Sequence, residues 1–565
     1  MSRLKNKDYP LYDRMPRIKS VADMLALKAE RVPEGSAFRF RKGRDQIENK
    51  TYADVYKEVS RTAAWIDEKY GKGNHIAIIG ENAYEWLIAF FSVLSSGNIA
   101  VPIDKELPAR EVAALIAKAD VTIVFISKTY MDLVEEIEGL QVMTLKSLQD
   151  AGAKAANGIS AANVGAEGSV SADAAADKKE APTKSPVTDA KDYPLYQPED
   201  QELACIFFTS GTSGVSKGVM LTHGNLAAEI NECCSMFDPA ASSTLAVLPF
   251  HHAFGLNVAI LMTYNYEVSI FLNKSLKRVK EDLITAKPQL LMLVPLFVEV
   301  FYKQIMDGAK KSGKLGKINK GIRISNLLLK VGIDVRRRLF KEILDVFGGE
   351  VTYIICGGAY LDPFYVKTFR NFGIEILNGY GATECSPCVA INRNHYKKDG
   401  SVGPVIPGTQ VKISPEGEVL FKGTVTMPGY YNDPENTKEA LQDGWYATGD
   451  LGHVDEDGFL FLTGRKKNLI ILSNGENISP EELENDFALD PGVAEVLVYE
   501  KDKKIIAEIF PEEAYLGNTD YFEALRKKVN EGRPVYKQVI RVVLRDTEFI
   551  KNSSKKIVRY KNIPG

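Results

Sequence analysis

Between two apolar runs, Phe207 to Asn225 reads FFTSGTSGVSKGVMLTHGN. Hydroxyls and glycines bury little apolar area, and glycine carries an added entropy cost on folding, so packing does not explain such a loop. Thr209, Ser210, Thr212, Ser213 and Ser216 offer hydroxyl donors, while Gly211, Gly214 and Gly218 let backbone N–H groups converge. With the ammonium of Lys217 they make a cradle suited to phosphate oxygens; the alternative is a mobile polar hairpin. A Walker A loop would place Gly directly before the lysine, Ser or Thr directly after it, and a helix next. Here Ser216 and Gly218 flank Lys217, and Val219-Met220-Leu221 reads as a strand. A polyphosphate fits this loop, and the P-loop fold does not.

Four further stretches carry polar chemistry: Cys356-Gly357-Gly358-Ala359, Asn378-Gly379-Tyr380-Gly381-Ala382-Thr383-Glu384, Tyr446-Ala447-Thr448-Gly449-Asp450, and Gly464-Arg465. Asp450 is an acceptor-only group able to take hydrogen bonds from both hydroxyls of a ribose. Glycines at 357, 358, 379 and 381 permit backbone to approach a flat base on which Tyr380 can stack. Glu384 is a hard oxygen donor of the kind Mg²⁺ accepts beside phosphate oxygens and water. Taken singly, each would read as a turn glycine, a core tyrosine or a surface charge.

The elements that must position these residues are legible as well. His75 to Ile79 reads as a strand, Gly80-Glu81-Asn82 as a turn, and Ala83 to Leu94 as a helix; repetition of that alternation predicts an α/β fold with largely parallel sheets. Leu203 to Phe208 reads as a buried strand before the glycine-rich loop. Residues 150–192 lack aromatic side chains and are rich in Ala, Gly, Ser, Asp and Lys, which predicts a flexible insertion. In Ile324 to Phe347, helical spacing aligns Ile324, Leu327, Leu328, Val331, Val335, Leu339, Ile343 and Phe347, predicting one core-facing amphipathic helix with Arg336, Arg337 and Arg338 turned away; a basic helix on a membrane surface is the alternative. Beyond Gly464 a helix opening at Pro480 and strands at 495–499 and 505–510 predict a small α+β domain.

At 565 residues the chain exceeds a single core, and its net charge of −3 leaves no electrostatic footprint for nucleic acid. Six cysteines, at 205, 233, 234, 356, 385 and 388, are too few for a disulfide framework, which points to the cytoplasm. Cys385 and Cys388 form a Cys-x-x-Cys without a second pair, read as chance spacing. The most apolar window, Trp86 to Leu94, is far shorter than the roughly 20 residues of a spanning helix.

In chain order, TSGTSGVSKGV and the four further stretches resemble the motifs of the adenylate-forming superfamily, which comprises acyl- and aryl-CoA synthetases, nonribosomal-peptide adenylation domains and luciferases. The resemblance covers roughly residues 20 to 560 outside the insertion. It implies a large N-terminal domain, 1–465, of α/β subdomains with a small β-barrel-like part, and a small mobile α+β C-terminal domain, 466–565. It also implies ATP and Mg²⁺ as cofactors, with coenzyme A or the phosphopantetheine of an acyl carrier protein as thiol acceptor. By the same resemblance Thr383 contacts the α-phosphate, Arg465 the ribose, and Lys467 is the hinge between two half-reactions. The family's mobile lysine lies in a Thr-x-Ser-Gly-Lys-Ile-x-Arg pattern, matched here by Asn552 to Arg559. Register from Ile557 and Arg559 assigns Lys556; Lys555 stands where the family has glycine and is the alternative, and Asn552 replaces the threonine.

His251, His252, Phe254 and Gly255 resemble the segment lining the acyl pocket. No Asp lies between Leu248 and Leu256 to meet a substrate ammonium, which disfavours amino acids. The two histidines contact carboxylate or adenylate, or else are hydrogen-bonded core residues. The runs Lys330 to Lys341 and Ala100 to Pro108 resemble bacterial long-chain fatty-acyl-CoA synthetases, implying a medium- to long-chain fatty acid and leaving peripheral membrane contact open. The alternatives are an acyl-carrier-protein synthetase, an aryl- or amino-acid adenylating enzyme, and a nucleotide-binding module without turnover.

Overall fold

Apolar runs that alternate with helical periodicity fold as parallel strands and covering helices. The computed structural model describes residues 10–43, 46–155, 194–209, 216–471, 477–551 and 557–563. In the helix Tyr84–Ser95 every residue except Glu85 is buried, so this segment is apolar all round because both its faces are covered.

One sheet runs Gln141–Thr144, Ile123–Ile126, His75–Ile79, Ile99–Ile103, Leu203–Thr209, Lys217–Thr222. Its neighbours are parallel except the last pair, which is antiparallel and sets Phe208 opposite Gly218 and Thr209 opposite Lys217. A second sheet of eight strands runs Cys388–Ile391, Glu375–Gly381, Tyr353–Cys356, Leu290–Leu293, Ser243–Ala246, Ser269–Leu272, Ser36–Arg41, Ile47–Thr51. Its six inner strands are parallel and both edge pairings antiparallel. Chains returning through helices produce the parallel core, and tight returns produce the edges.

Two expectations need correction. The helix Leu145–Ala155 runs past residue 150, so the start of the expected insertion is helical; residues 156–193 lie outside the described residues. The segment 324–347 is not one core-facing helix. A helix Leu315–Lys330 ends before Gly332, whose φ of +84° stops it, and two short turns follow at Arg336–Leu339 and Lys341–Asp345. Ile343 and Phe347 are buried as expected, but Ile324, Leu327, Val331 and Leu339 face solvent. Arg336 and Arg337 are not turned away: Arg337 donates to the carbonyls of Gly349 (3.0 Å) and Val351 (2.6 Å), and Arg336 to that of Arg370 (2.9 Å). The arginines close the ends of neighbouring elements, and the backbone adapts to them.

The chain divides into two compact units. The first takes Met1–Val411, Phe421–Tyr446 and Glu456–Phe459; the second takes Lys412–Leu420, Ala447–Asp455 and Leu460–Gly565. In the second, the strands Val493–Lys501, Lys504–Pro511 and Arg541–Leu544 form a sheet. The helices Pro480–Ala488 and Thr519–Asn530 bring Leu483, Phe487, Phe522 and Leu525 into its core. Each such side chain contributes about 1.5–3 kcal/mol of burial. Among the described residues no helix is long and apolar enough to cross a membrane.

Candidate active site

In the first unit the strands on either side of the glycine-rich loop pair antiparallel, and their ends are fixed. Thr209 and Lys217 face each other in register, and Lys118 Nζ donates to the Ser216 carbonyl at 2.8 Å. Ser210, Gly211, Thr212, Ser213 and Gly214 lie outside the described residues. The strand Lys217–Thr222 is gripped on its other side by residues 429–431: Met220 N donates to Gly429 O (3.1 Å) and Tyr431 N to Gly218 O (2.7 Å). Thr222 then caps the helix His223–Met236 reciprocally with Asn225. Burial pushes the His223 imidazole down to about 4, so it is neutral there.

Lys217 Nζ lies 4.9 Å from the centroid of the Tyr430 ring, and the hydroxyl of that ring donates to Glu384 Oε1 at 2.9 Å. Glu384 sits on the short turn Thr383–Cys385, and its carbonyl accepts from Met427 N at 2.9 Å. Burial first, and the Glu384 carboxylate second, drive the Tyr430 phenol well above its ordinary range, so it stays protonated and donates. One tyrosine thus orients the Lys217 ammonium and the Glu384 carboxylate. Sequence reasoning passed over Tyr430; its signal is the pair of tyrosines in the turn-rich stretch Pro428 to Asp433.

The residues expected beside a base stand toward the carboxyl ends of three parallel strands, where open α/β sheets bind ligands. Leu293, Cys356 and Asn378 are in register; Gly357 leaves the sheet just past Cys356, while Gly379 continues the strand Glu375–Gly381 opposite Ile391. A Cβ on Gly357 would lie 3.4 Å from the Gly379 carbonyl oxygen and 3.5 Å from the Phe254 ring. Gly358, at φ +86°, and Ala359 are exposed just beyond. Asn378 Oδ1 is buried without a hydrogen-bond partner, which fits an amino group supplied by a base. The Tyr380 ring packs 6.0 Å from Phe421. At Gly381 a Cβ would fall 1.6 Å from the Pro387 carbonyl oxygen, so this glycine is demanded by close packing of its own hairpin.

His251 and His252 touch, with ring centroids 4.3 Å apart. His251 Nε2 is 3.4 Å from Asp104 Oδ2 but makes no hydrogen bond to it, and burial together with His252 and Lys105 holds the imidazole well below its ordinary pKa. It is a neutral ring with an unpaired nitrogen, and the contact is not an ion pair. Asp104, read in the sequence only as part of the run Ala100 to Pro108 and not as a neighbour of His251, accepts from Glu106 N at 2.9 Å. Phe254 lies beside Gly357, whereas a Cβ on Gly255 would meet the Pro249 carbonyl oxygen at 2.0 Å; that glycine serves packing.

In the second unit Asp450 and Arg465 are cross-strand partners, with Arg465 Nε 2.7 Å from Asp450 Oδ1. Thr448 Oγ1 accepts from Asp450 N, and Gly449 N donates to Glu418, which also pairs with Lys466 at 2.8 Å. Lys467 lies in the turn Lys466–Asn468. Lys555 and Lys556 lie outside the described residues.

All six cysteines are free and buried, so Cys385 and Cys388 are not bridged. Cys388 belongs to a buried group with Glu229 and Cys233: Cys388 N (3.1 Å) and Cys233 Sγ (3.4 Å) both reach Glu229 Oε1. Burial pushes the Glu229 carboxyl up to about 8.

The chain matches the AMP-binding enzyme family over residues 25–431. The long-chain-fatty-acid–CoA ligase FadD15 of Mycobacterium bovis is 29% identical over 456 residues, which cover 77% of this chain and 72% of that protein. Human long-chain-fatty-acid–CoA ligase 1 is 27% identical over 496 residues, 81% of this chain and 69% of the relative. The crystal structure of ATP-bound MatB from Rhodopseudomonas palustris superposes with a TM-score of 0.72 at 22% identity, covering 95% of this chain and 97% of that one. The α/β architecture, with a large N-terminal part and a smaller C-terminal part, is therefore that of adenylate-forming enzymes. Because the family match runs over most of its length, the chain belongs to the AMP-binding enzyme family.

Proposed function

We propose that this protein is an AMP-forming acid–thiol ligase: it converts a long-chain fatty acid to its acyl-adenylate with release of pyrophosphate, then passes the acyl group to the thiol of coenzyme A. The observation that carries the reading is the Lys217–Tyr430–Glu384 arrangement at the foot of the phosphate loop. The relatives named above, both long-chain-fatty-acid–CoA ligases, support the choice of acid and thiol.

A carboxylate attacking the α-phosphate brings two anions together, so the barrier is electrostatic. When bound, Mg²⁺ neutralises phosphate charge. Glu384 is the carboxylate that would hold it, and the Tyr430 hydrogen bond fixes that carboxylate's orientation. Lys217 contributes a second cation, and Thr383 a hydroxyl at the α-phosphate. Asn378 Oδ1 receives the amino group of the base, Tyr380 stacks beside it, and Asp450, steadied by Arg465, accepts from the ribose. The neutral His251 meets the acyl carboxylate without adding charge. Lys556 completes adenylation, and rotation of residues 466–565 at Lys467 exchanges that surface for the thiol-binding one. The compartment we infer is the cytoplasm, in keeping with six unbridged thiols.

Acid-dependent ATP–pyrophosphate exchange tests the reading across fatty, aryl and amino acids, followed by coenzyme A or acyl carrier protein. Exchange with long-chain acids and product on coenzyme A are expected. Exchange with no acid would leave only a nucleotide-binding module.

A further inference from the structure

Irregular backbone must find hydrogen-bond partners outside ladders and helices. Residues 247–252 are such a stretch. They run from the strand Ser243–Ala246 of the eight-stranded sheet to the π-helical segment Phe254–Met262, and they carry His251 and His252. Their partner comes from beside the other sheet. Asn82 Nδ2 donates to the Leu248 carbonyl at 2.7 Å, and Phe250 N donates to Asn82 Oδ1 at 3.2 Å. One side-chain amide thus meets a carbonyl and an N–H two residues apart, much as a neighbouring strand would.

The clamp is itself held firmly. Asn82 stands between the strand His75–Ile79 and the buried helix Tyr84–Ser95. Trp86, one helical turn further on, packs its ring 5.5 Å from that of Phe250, and both side chains are buried. Pro249, between the two clamped residues, turns its carbonyl against Gly255, where no Cβ fits. The backbone at 248–250 is left one path.

That path ends at the histidines. In the six-stranded sheet Ile79 pairs with Ile103, so Asn82 and Asp104 follow the same end of two neighbouring strands. Asn82 fixes the backbone just before His251, and Asp104 Oδ2 lies 3.4 Å from His251 Nε2. Nε2 has no hydrogen-bond partner and gives the ring no anchor. The imidazole is placed by the backbone that Asn82 holds.

We propose that Asn82 is a positioning residue for the acid: its amide holds residues 248–250 so that His251 and His252 face the acyl carboxylate. It acts through the histidine segment and touches no substrate. This role rests on the ligase reading and adds to it a residue from a different sheet.

Steady-state exchange with acid and ATP varied separately tests the proposal. Asn82→Ala loses both bonds; the KM for a long-chain acid should rise about tenfold, while the KM for ATP stays within about twofold of wild type. Asn82→Asp keeps the acceptor for Phe250 N but sets a carboxylate against the Leu248 carbonyl, and protonation restores the donor. Its acid KM, relative to wild type, should therefore fall as pH drops from about 8 to about 5.5. Asn98→Ala separates positioning from stability, because Asn98 makes the same kind of clamp at the other end of this sheet. It accepts from Asn74 N at 2.8 Å and donates to the Gly71 carbonyl at 2.9 Å. That variant should lower the thermal midpoint and leave both KM values as in wild type. An unchanged acid KM in Asn82→Ala overturns the proposal, as does an equal rise in the two KM values. It also fails if Asn98→Ala raises the acid KM as much, or if Asn82→Asp shows no pH-dependent recovery. Should Asn82→Ala not fold, Asn82→Asp alone decides, through that recovery. Wild-type protein that exchanges with no acid would sink the ligase reading as well, whereas these outcomes beside an active wild type strike the role of Asn82 alone.

Discussion

Lys217 and Glu384 meet through one side chain: the ammonium of the first rests over the Tyr430 ring, 4.9 Å from its centroid, and the hydroxyl of that ring donates to the second at 2.9 Å. The two contacts use different parts of the ring, so substitutions can separate them. Tyr430→Phe keeps the face for Lys217 and removes the donor. A hydrogen bond to a charged group contributes about 1.5–3 kcal/mol, so exchange should slow roughly 10- to 100-fold, with a higher Mg²⁺ requirement. Tyr430→Leu loses both contacts and should fall further. Unchanged Mg²⁺ titrations in both variants would remove Tyr430 from the mechanism.

Asp450→Asn keeps the shape of the side chain but halves its acceptor capacity and uncouples Arg465. We expect the KM for ATP to rise about tenfold or more, with little change in the KM for the acid. Steady-state kinetics with both substrates varied decide this; an effect confined to the acid would place Asp450 elsewhere.

Glu229 titrates from about 8 in the folded protein against an ordinary 4.5. Its folded pKa is raised, so its contribution to stability is full below about 4.5 and is lost as pH climbs through 8. Glu229→Gln is neutral throughout and should remove that decline. Relative to wild type, the variant should gain stability from pH 5 to pH 8 by up to about 4 kcal/mol. Urea unfolding at pH 5, 6.5 and 8 reads the difference, and parallel pH profiles for the two proteins would contradict it.

Glycines in the motifs are required for different reasons. Gly381→Ala would set a Cβ 1.6 Å from the Pro387 carbonyl oxygen, whereas Gly449, at φ +70°, has nothing within 4 Å of that position. The first substitution should cost more than about 3 kcal/mol and abolish adenylation with it. The second should cost about 1 kcal/mol of backbone strain. Thermal unfolding of the two variants side by side tests the contrast.

Lys556→Ala should suppress adenylation yet leave thiolation of supplied acyl-adenylate, whereas Lys467→Pro should do the reverse. Separate assays of the two half-reactions distinguish them. If both variants impaired the same single step, the hinge reading would be lost.

Much of this arrangement was legible in the chain itself, because strands buried on both sides and glycine-rich turns leave local signatures. The hairpin around the phosphate loop and the strand and helix from His75 to Ser95 follow from patterning alone. What escaped was contact between distant segments. Tyr430 is 46 residues from Glu384, and Asp104, just past the strand Ile99–Ile103, comes to the distant His251; no local spacing announces either. The helix expected to face the core, from Ile324 onward, failed for a different reason. Periodicity reveals that a helix has an apolar stripe, but not whether other parts of the chain cover it.

The grip of residues 427–431 has a consequence for protein engineering. The same five-residue ribbon holds Glu384 through Met427 and the strand Lys217–Thr222, at the foot of the glycine-rich loop, through Gly429 and Tyr431. Grafts meant to retune acid selectivity around His251 should keep Gly255, which close packing on Pro249 requires, and leave this ribbon native. Disturbing it would shift two groups of opposite charge at once, and no compensating change at either one alone would restore their alignment.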